Sequence, residues 1–293
     1  MSNIHGPNIV TDGIIHVWDA ANRKSYTGAG TTLSDLAFAT CSICESGGLD
    51  GTTGLRDLRA DATLTNGASF STDNLGVIEF DGTNDFLALD KSFIQMGIAT
   101  SGVPYGSTEA DLSWMAWIKP SVIDGTIVGD TDGGYSSTIN FRIDSADNKL
   151  KNSVTVTSAY VWGYQTISVA STTTLSADTW YHVAVTYGIG TGIGEQCLYI
   201  SGELEDTEEF GGYGGGGCPG AGCRVMYYNR CGEYAMQGAS FTSGVPCKPF
   251  QIGCNNTEDF FEGQMANMSM YNKAITAGEV KQNFNALKGR FGL

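Results

Sequence analysis

The chain has 293 residues, of which 41% are hydrophobic and 16% charged, with 40 glycines against 6 prolines. That balance excludes a disordered or collagen-like chain and supplies apolar material for one large all-β domain or two small ones. A net charge of −15 repels phosphate backbones and anionic lipid, so nucleic acid and membrane surfaces are poor partners.

No window approaches the roughly 18 apolar residues of a membrane span. The first seven residues, Met1 to Pro7, carry neither the basic nor the apolar region of a secretory signal, so neither membrane insertion nor Sec export is expected. The apolar pattern then repeats with period two far more often than 3.6. Strands are predicted at 14–18, 77–80 and 86–89. Leu112, Trp114, Ala116 and Ile118 alternate with Ser113, Met115, Trp117 and Lys119, which predicts a strand with two distinct faces. Further strands are predicted at 139–143, 154–157 and 160–170. Residues 180–187 are apolar on both faces, as for a strand covered on each side. Residues 197–200 and Glu203-Leu204 flank Ser201-Gly202 and read as a hairpin with a two-residue turn. Strands at 250–252 and 264–271 follow. Thr276-Ala-Gly-Glu279 is a capping box, with Ile275 and Val280 as its hydrophobic staple. Val280, Phe284 and Leu287 form one apolar helical stripe that Gly289 is expected to end. Many short strands and one short C-terminal helix predict an all-β, two-sheet antiparallel sandwich of jelly-roll type. Residues 1–293 form a single domain, with stretches at about 37–56 and 205–248 that break the strand rhythm and read as insertions.

The eight cysteines are Cys41, Cys44, Cys197, Cys218, Cys223, Cys231, Cys247 and Cys254. All are disulfide candidates. Three states stay open: disulfides, reduced thiols, or zinc held by Cys41-x-x-Cys44 with Cys218-x4-Cys223. Among the three histidines, His182 sits mid-strand and reads as a core or sheet-edge residue. No Gly-x-Ser-x-Gly elbow and no His-Glu-x-x-His helix is present.

The ordered segments resemble a known family. The run from Asp12 to Asn22, Ile78-Glu-Phe-Asp-Gly-Thr-Asn-Asp-Phe86, Leu112-Ser-Trp-Met-Ala-Trp-Ile118, Thr179-Trp-Tyr-His-Val-Ala-Val-Thr-Tyr187 and the closing run from Phe261 to Ile275 are similar to the laminin-G-like, concanavalin A-like jelly rolls of tailed-phage virion proteins. The tail from Gln282 to Gly292 resembles the C-terminal end of marine and cyanobacterial phage versions. The resemblance implies a non-enzymatic virion structural protein, made in the host cytoplasm and released by lysis. It would sit on the capsid or tail, decorating or cementing the particle. Its partners would be other virion proteins, further copies of itself and host-surface glycans. The alternative is a carbohydrate-binding receptor-recognition adhesin of tail-fibre or head-fibre type.

The resemblance also frames the candidate sites. Relatives hold one Ca²⁺ with hard oxygens, and Asp81, Asn84 and Asp85 cluster such oxygens around a tight turn; the alternative is a plain Asx-stabilised turn. Where calcium-binding relatives carry an Asp on the closing strand, this chain has Ala266. Asp130-Thr-Asp-Gly-Gly134 is a second cation candidate. Tyr160, Trp162 and Tyr164 alternate, and so share one face, as a sugar platform or as core or protein contact. Glucanases of this fold place a Glu-x-Asp-x-x-Glu run on one strand. Glu203-Leu-Glu-Asp-Thr-Glu-Glu209 puts Asp206 out of phase with Glu203 and Glu205, and reads as a solvated acidic turn. No catalytic residues are assigned.

Overall fold

The computed structural model describes residues 8–36, 59–90, 107–108, 111–130, 139–157, 164–189, 194–210, 225–227, 250–255 and 258–293. In chain order the strands are β1 (Ile14–Trp18), β2 (Thr32–Leu33), β3 (Ala62–Thr65), β4 (Ser69–Ser71), β5 (Val77–Asp81) and β6 (Phe86–Leu89). There follow β7 (Ser107–Thr108), β8 (Leu112–Pro120), β9 (Gly125–Asp130), β10 (Ile139–Asp144), β11 (Lys149–Thr157) and β12 (Tyr164–Thr174). The last are β13 (Tyr181–Ile189), β14 (Gly194–Ile200), β15 (Glu203–Phe210), β16 (Val225–Tyr227), β17 (Gln251–Ile252) and β18 (Glu262–Tyr271), before helix α1 (Ala277–Leu287). No helix among the described residues is long and apolar enough to cross a membrane.

Two antiparallel sheets make the sandwich. Sheet A runs β15-β14-β13-β8-β18-β5-β4, with β1 also on β18; sheet B runs β2-β3-β6-β17-β9-β10-β11-β16-β7, with β12 also on β11. Strand β8 shows why the layers stack as they do. Leu112, Trp114, Ala116 and Ile118 point between the sheets into the main core, where Trp114 stacks on Phe250 at 4.8 Å. Met115 and Trp117 point the other way and are buried as well. They are covered by the C-terminal segment: Trp117 is fully buried and stacks on Phe291 at 4.2 Å and Phe284 at 5.7 Å. The two-faced apolar pattern of β8 and β13 thus has a concrete cause, a core on one side and a helix on the other.

The predicted turns and cap form as expected. Ser201 and Gly202 both take positive φ, at 51° and 79°, the backbone a tight hairpin turn demands. Thr276 Oγ1 accepts the Glu279 N–H at 3.2 Å, and Glu279 Oε2 accepts the Thr276 N–H at 2.8 Å. The helix end differs from expectation. Gly289 lies inside a 3-10 turn, Lys288–Phe291, and Gly292 takes the left-handed conformation instead. The extra turn carries Phe291 onto Trp117 and Trp180, and that burial outweighs the local preference of glycine for a helix end.

The acidic stretch is also not a solvated turn. It forms β15, paired with β14 as far as Phe210, inside the stretch read as an insertion from 205. The register shifts between Leu198 and Tyr199, leaving Glu205 as the extra residue of a β-bulge. A bulge re-aims side chains, and here it turns Glu205 and Asp206 to the same partner, the edge strand β12. Asp206 Oδ2 accepts the Ala170 N–H at 2.9 Å. Glu205 Oε2 accepts the Thr172 and Thr173 N–H groups at 3.0 and 2.9 Å. Two carboxylates of sheet A therefore cap backbone donors on the rim of sheet B.

Candidate functional site

Sheet B has one face on the core and one facing outward. Register across the strands lines up a single row on the outward face. Thr32 lies opposite Thr63, Thr63 opposite Ala88, and Ala88 opposite Gln251. Gln251 lies opposite Gly129, Gly129 opposite Asn140, Asn140 opposite Ser153, and Ser153 opposite Ser168. The row is polar and mostly small-sided rather than an apolar patch. Next to it, Thr126, Arg142, Lys151 and Ala170 form a second row. Burial alternates strictly along β10: Ile139, Phe141 and Ile143 are buried, and Asn140, Arg142 and Asp144 are half-buried.

Cys254 and Asn255 lie against Gly129 in the middle of the first row. Asn255 and Glu258 exchange backbone hydrogen bonds at 2.9 and 3.0 Å. A Cβ on Gly129 would stand 2.7 Å from Asn255 Oδ1 and 2.9 Å from the Cys254 carbonyl. Only glycine permits so close an approach.

Charge on the face centres on Arg142. Its guanidinium lies 3.8 Å from Asp144 Oδ1, 3.8 Å from Asp259 Oδ2 and 4.0 Å from Asp124 Oδ1. Lys151 reaches Asp144 at 3.0 Å and Asp147 at 2.9 Å. The Ala146 N–H and then the Lys151 ammonium hold the Asp144 carboxyl below its ordinary range. Hydrogen bonds to Asp147 and Asp144 raise Lys151. Three polar atoms beside these charges are buried without a hydrogen-bond partner among the described residues: Thr126 Oγ1, Asn140 Oδ1 and Arg142 Nε. Buried polar atoms are nearly always satisfied, and leaving one bare costs roughly 1–3 kcal/mol. A hydroxyl, an acceptor and an N–H left open on adjacent rows match an incoming group that both donates and accepts.

The residues singled out from sequence fall as follows. Asp81, Asn84 and Asp85 come together as a turn. Asp85 Oδ2 accepts the Asp81 N–H at 3.0 Å, Asp81 Oδ1 accepts the Thr83 N–H at 2.8 Å, and the Asn84 carbonyl accepts from Asn66 at 2.9 Å. Asp85 is buried, its Oδ1 has no hydrogen-bond partner among the described residues, and burial raises its pKa. The Asp81 side chain is instead spent on its own exposed turn, and no group of three carboxylate, histidine or thiol side chains among the described residues is arranged to hold a metal. These backbone-to-carboxylate hydrogen bonds are those of an Asx turn. Ala266 is buried on the other face of sheet A, in the cluster with Trp117 and Phe291.

Tyr160 and Trp162 lie outside the described residues, and Tyr164 opens β12 opposite Thr157. Residues 131–134 of the second cation candidate lie outside as well, as do Cys41, Cys44, Cys218, Cys223, Cys231 and Cys247. Cys197 is buried with a free thiol among the described residues. Burial pushes that thiol up, with Thr207 Oγ1 3.6 Å from its Sγ. Cys254 is fully buried, its Sγ 3.4 Å from Gln251 Oε1.

Two features escaped the sequence reading. His16 Nδ1 lies 2.5 Å from Asp35 Oδ2, both side chains wholly buried. A lone His and a lone Asp nineteen positions apart gave no signal of pairing. The outward row was equally hidden, because it is assembled from residues of many strands. His182 is the core residue expected: it packs on Trp117 and Phe284, and burial lowers its pKa to about 3.

With this geometry in place, comparison with known proteins adds the following. Residues 96–217 match the model of the concanavalin A-like lectin/glucanases superfamily. Among solved structures, the receptor-binding domain of botulinum neurotoxin D is similar, with 14% identity over 93% of this chain and 52% of that one and a TM-score of 0.54. The ligand-binding domain of botulinum neurotoxin serotype D in complex with N-acetylneuraminic acid is similar at 14% identity, over 93% of this chain and 50% of that one, with a TM-score of 0.53. Trypanosoma rangeli sialidase in complex with 2,3-difluorosialic acid is similar at 11% identity, over 96% of this chain and 34% of that one, with a TM-score of 0.51. The chain thus spans about half the length of the toxin domains and about a third of the sialidase. At these identities the likeness is one of fold. No curated protein sequence matches the chain.

Proposed function

We propose that this chain is a non-enzymatic carbohydrate-recognition domain that reads sugar hydroxyls on the outward face of sheet B. The observation that carries the reading is the set of buried polar atoms Thr126 Oγ1, Asn140 Oδ1 and Arg142 Nε, which have no hydrogen-bond partner among the described residues, under a polar, small-sided face. Sugar hydroxyls both donate and accept, as this set requires. The concanavalin A-like lectin model and the receptor-binding neighbours support a binding role. The nearest acidic run points away from glycosidase chemistry: Glu205 and Asp206 are committed to backbone donors of β12, whereas a retaining pair must stand free about 5–5.5 Å apart. The test is a glycan array probed with the full chain and with Asn140→Ala. The wild type should bind a set of glycans that the variant binds at least about tenfold more weakly, the scale of one lost buried hydrogen bond. Equal binding by both proteins moves the site elsewhere, and release of reducing sugar from any bound glycan ends the non-enzymatic reading.

A second reading concerns where the domain works. The order of segments resembling tailed-phage virion proteins, from Asp12-Gly-Ile-Ile-His-Val-Trp-Asp19 to the Gln282–Gly292 tail, supports display on a capsid or tail among other virion proteins and copies of itself. Mass spectrometry of purified particles tests it; stoichiometric recovery is expected, and absence from the particle overturns it.

A further inference from the structure

We infer that the outward face of sheet B selects uncharged glycans and rejects those bearing a carboxylate, such as sialylated or uronate-containing chains. The inference rests on the carbohydrate-recognition reading and names the ligand class of that same site.

An acidic sugar is normally held by a cation that is free to pair with it. Among the described residues the cation beside these buried polar atoms is Arg142, and three carboxylates already surround it within 4.0 Å: Asp124, Asp144 and Asp259. Lys151 is committed to Asp144 and Asp147. Lys149 lies cross-strand from Asp144, at the far end of β10 from Asn140. A carboxylate arriving beside Arg142 would therefore meet more negative charge than positive. Asp124 and Asp259 are about half exposed, at 49% and 52%, so they face an incoming ligand directly.

The open atoms favour the same answer. Thr126 Oγ1 and Asn140 Oδ1 can both accept a hydrogen bond, and a hydroxyl can donate one; a carboxylate cannot. Thr126 is wholly buried, and its Oγ1 has no hydrogen-bond partner among the described residues. Arg142 Nε supplies the matching donor. The whole chain, at −15, adds a repulsive field for polyanionic glycans that salt screens over about 8 Å.

The experiment uses the full chain and matched glycan pairs: N-acetyllactosamine against its sialylated form, and a neutral glucan against a glucuronan. Affinities are measured near 0.15 M salt and at about a tenth of that. The neutral member should bind about tenfold more tightly, the scale of one like-charge contact at a partly screened surface. That preference should widen at low salt. In the double variant Asp124→Asn/Asp259→Asn the neutral-to-acidic ratio should fall towards one, because Arg142 is then open to a carboxylate; both positions are exposed enough to be changed without unfolding the chain. Equal or tighter binding of the sialylated and uronate members overturns the inference while leaving carbohydrate recognition standing. So does a neutral preference that ignores both salt and the double variant. Failure of every member of both pairs to bind overturns carbohydrate recognition itself, and the inference with it.

Discussion

Arg290 and Asp19 join the two ends of the chain: Arg290 Nη1 donates to both carboxylate oxygens of Asp19, at 2.9 and 3.1 Å, across 271 positions of sequence. Both side chains are largely buried, at 8% and 14% exposure. Arg290 Nε also donates to the Asn74 carbonyl, Asn74 Nδ2 donates back to the Arg290 carbonyl, and Asn267 Nδ2 donates to Asp19. The pair thereby ties the 3-10 turn carrying Phe291 to the start of the domain. Removing one member leaves the other charge buried and unpaired. Arg290→Ala is expected to cost about 3–5 kcal/mol in urea unfolding. A loss below about 1 kcal/mol would mean that the tail is held by its aromatic contacts alone.

His182 makes stability depend on pH in a defined window. Its folded pKa of about 3 lies below the ordinary value of 6.5 because burial among Trp117 and Phe284 opposes the charge. The unfolded chain therefore takes up a proton that the folded chain refuses. Stability should fall as pH drops from 6.5 towards about 3, by up to about 1.4 kcal/mol per pH unit. Urea melts between about pH 5 and 6.5, above the range of ordinary carboxylates, should show this slope in the wild type and a shallower one in His182→Gln. Parallel slopes would place the acid sensitivity in other groups.

What could be read from the sequence was local. The alternation of β8, the Ser201-Gly202 turn and the Thr276–Glu279 cap each depend on a few neighbouring residues, and each formed as read. What could not be read depends on register between distant strands. The outward row joins Thr32 to Ser168 through pairings that no single window contains. Arg142 on β10 meets Asp259 from a distant part of the chain. The bulge at Glu205 inverts the phase of the strand beyond it, so strict alternation assigned Asp206 to the wrong side. Gly289 misled for a related reason: a distant hydrophobic partner, Trp117, carried the chain one turn further.

The same bulge yields a prediction about the sandwich rim. Burial opposes the charge on Glu205, but the Thr172 and Thr173 donors outweigh it and hold the carboxyl below its ordinary 4.5. A lowered carboxyl pKa stabilises the fold above the unfolded value, and that contribution is lost as pH falls through the lower folded value. Glu205→Ala should cost about 1–3 kcal/mol at neutral pH, the range for hydrogen bonds to a charged group. It should also speed hydrogen exchange at the Thr172 and Thr173 amides while leaving amides inside β13 protected. Exposed edge donors invite pairing with another chain, so the variant should associate more readily at high concentration in light scattering. Unchanged exchange at those two amides would show that water or another group satisfies them equally well.

Asp85 separates the Asx turn from a calcium site. Burial raises its pKa, so its ionised form is disfavoured in the folded chain and stability should rise as pH falls through the raised value. Asp85→Asn removes the charge while its side-chain oxygen can still accept the Asp81 N–H. If the turn stands alone, the substitution should leave thermal stability at neutral pH unchanged or higher, and a chelator should not move the melting temperature of the wild type. A bound divalent cation reverses both signs. The chelator would then lower the melting temperature, because ligand binding to the folded state adds stability in proportion to the logarithm of free ion, and Asp85→Asn would abolish the response by removing the buried oxygen that lacks a partner. Melting curves of the two proteins, with and without chelator and with added Ca²⁺, decide between these outcomes.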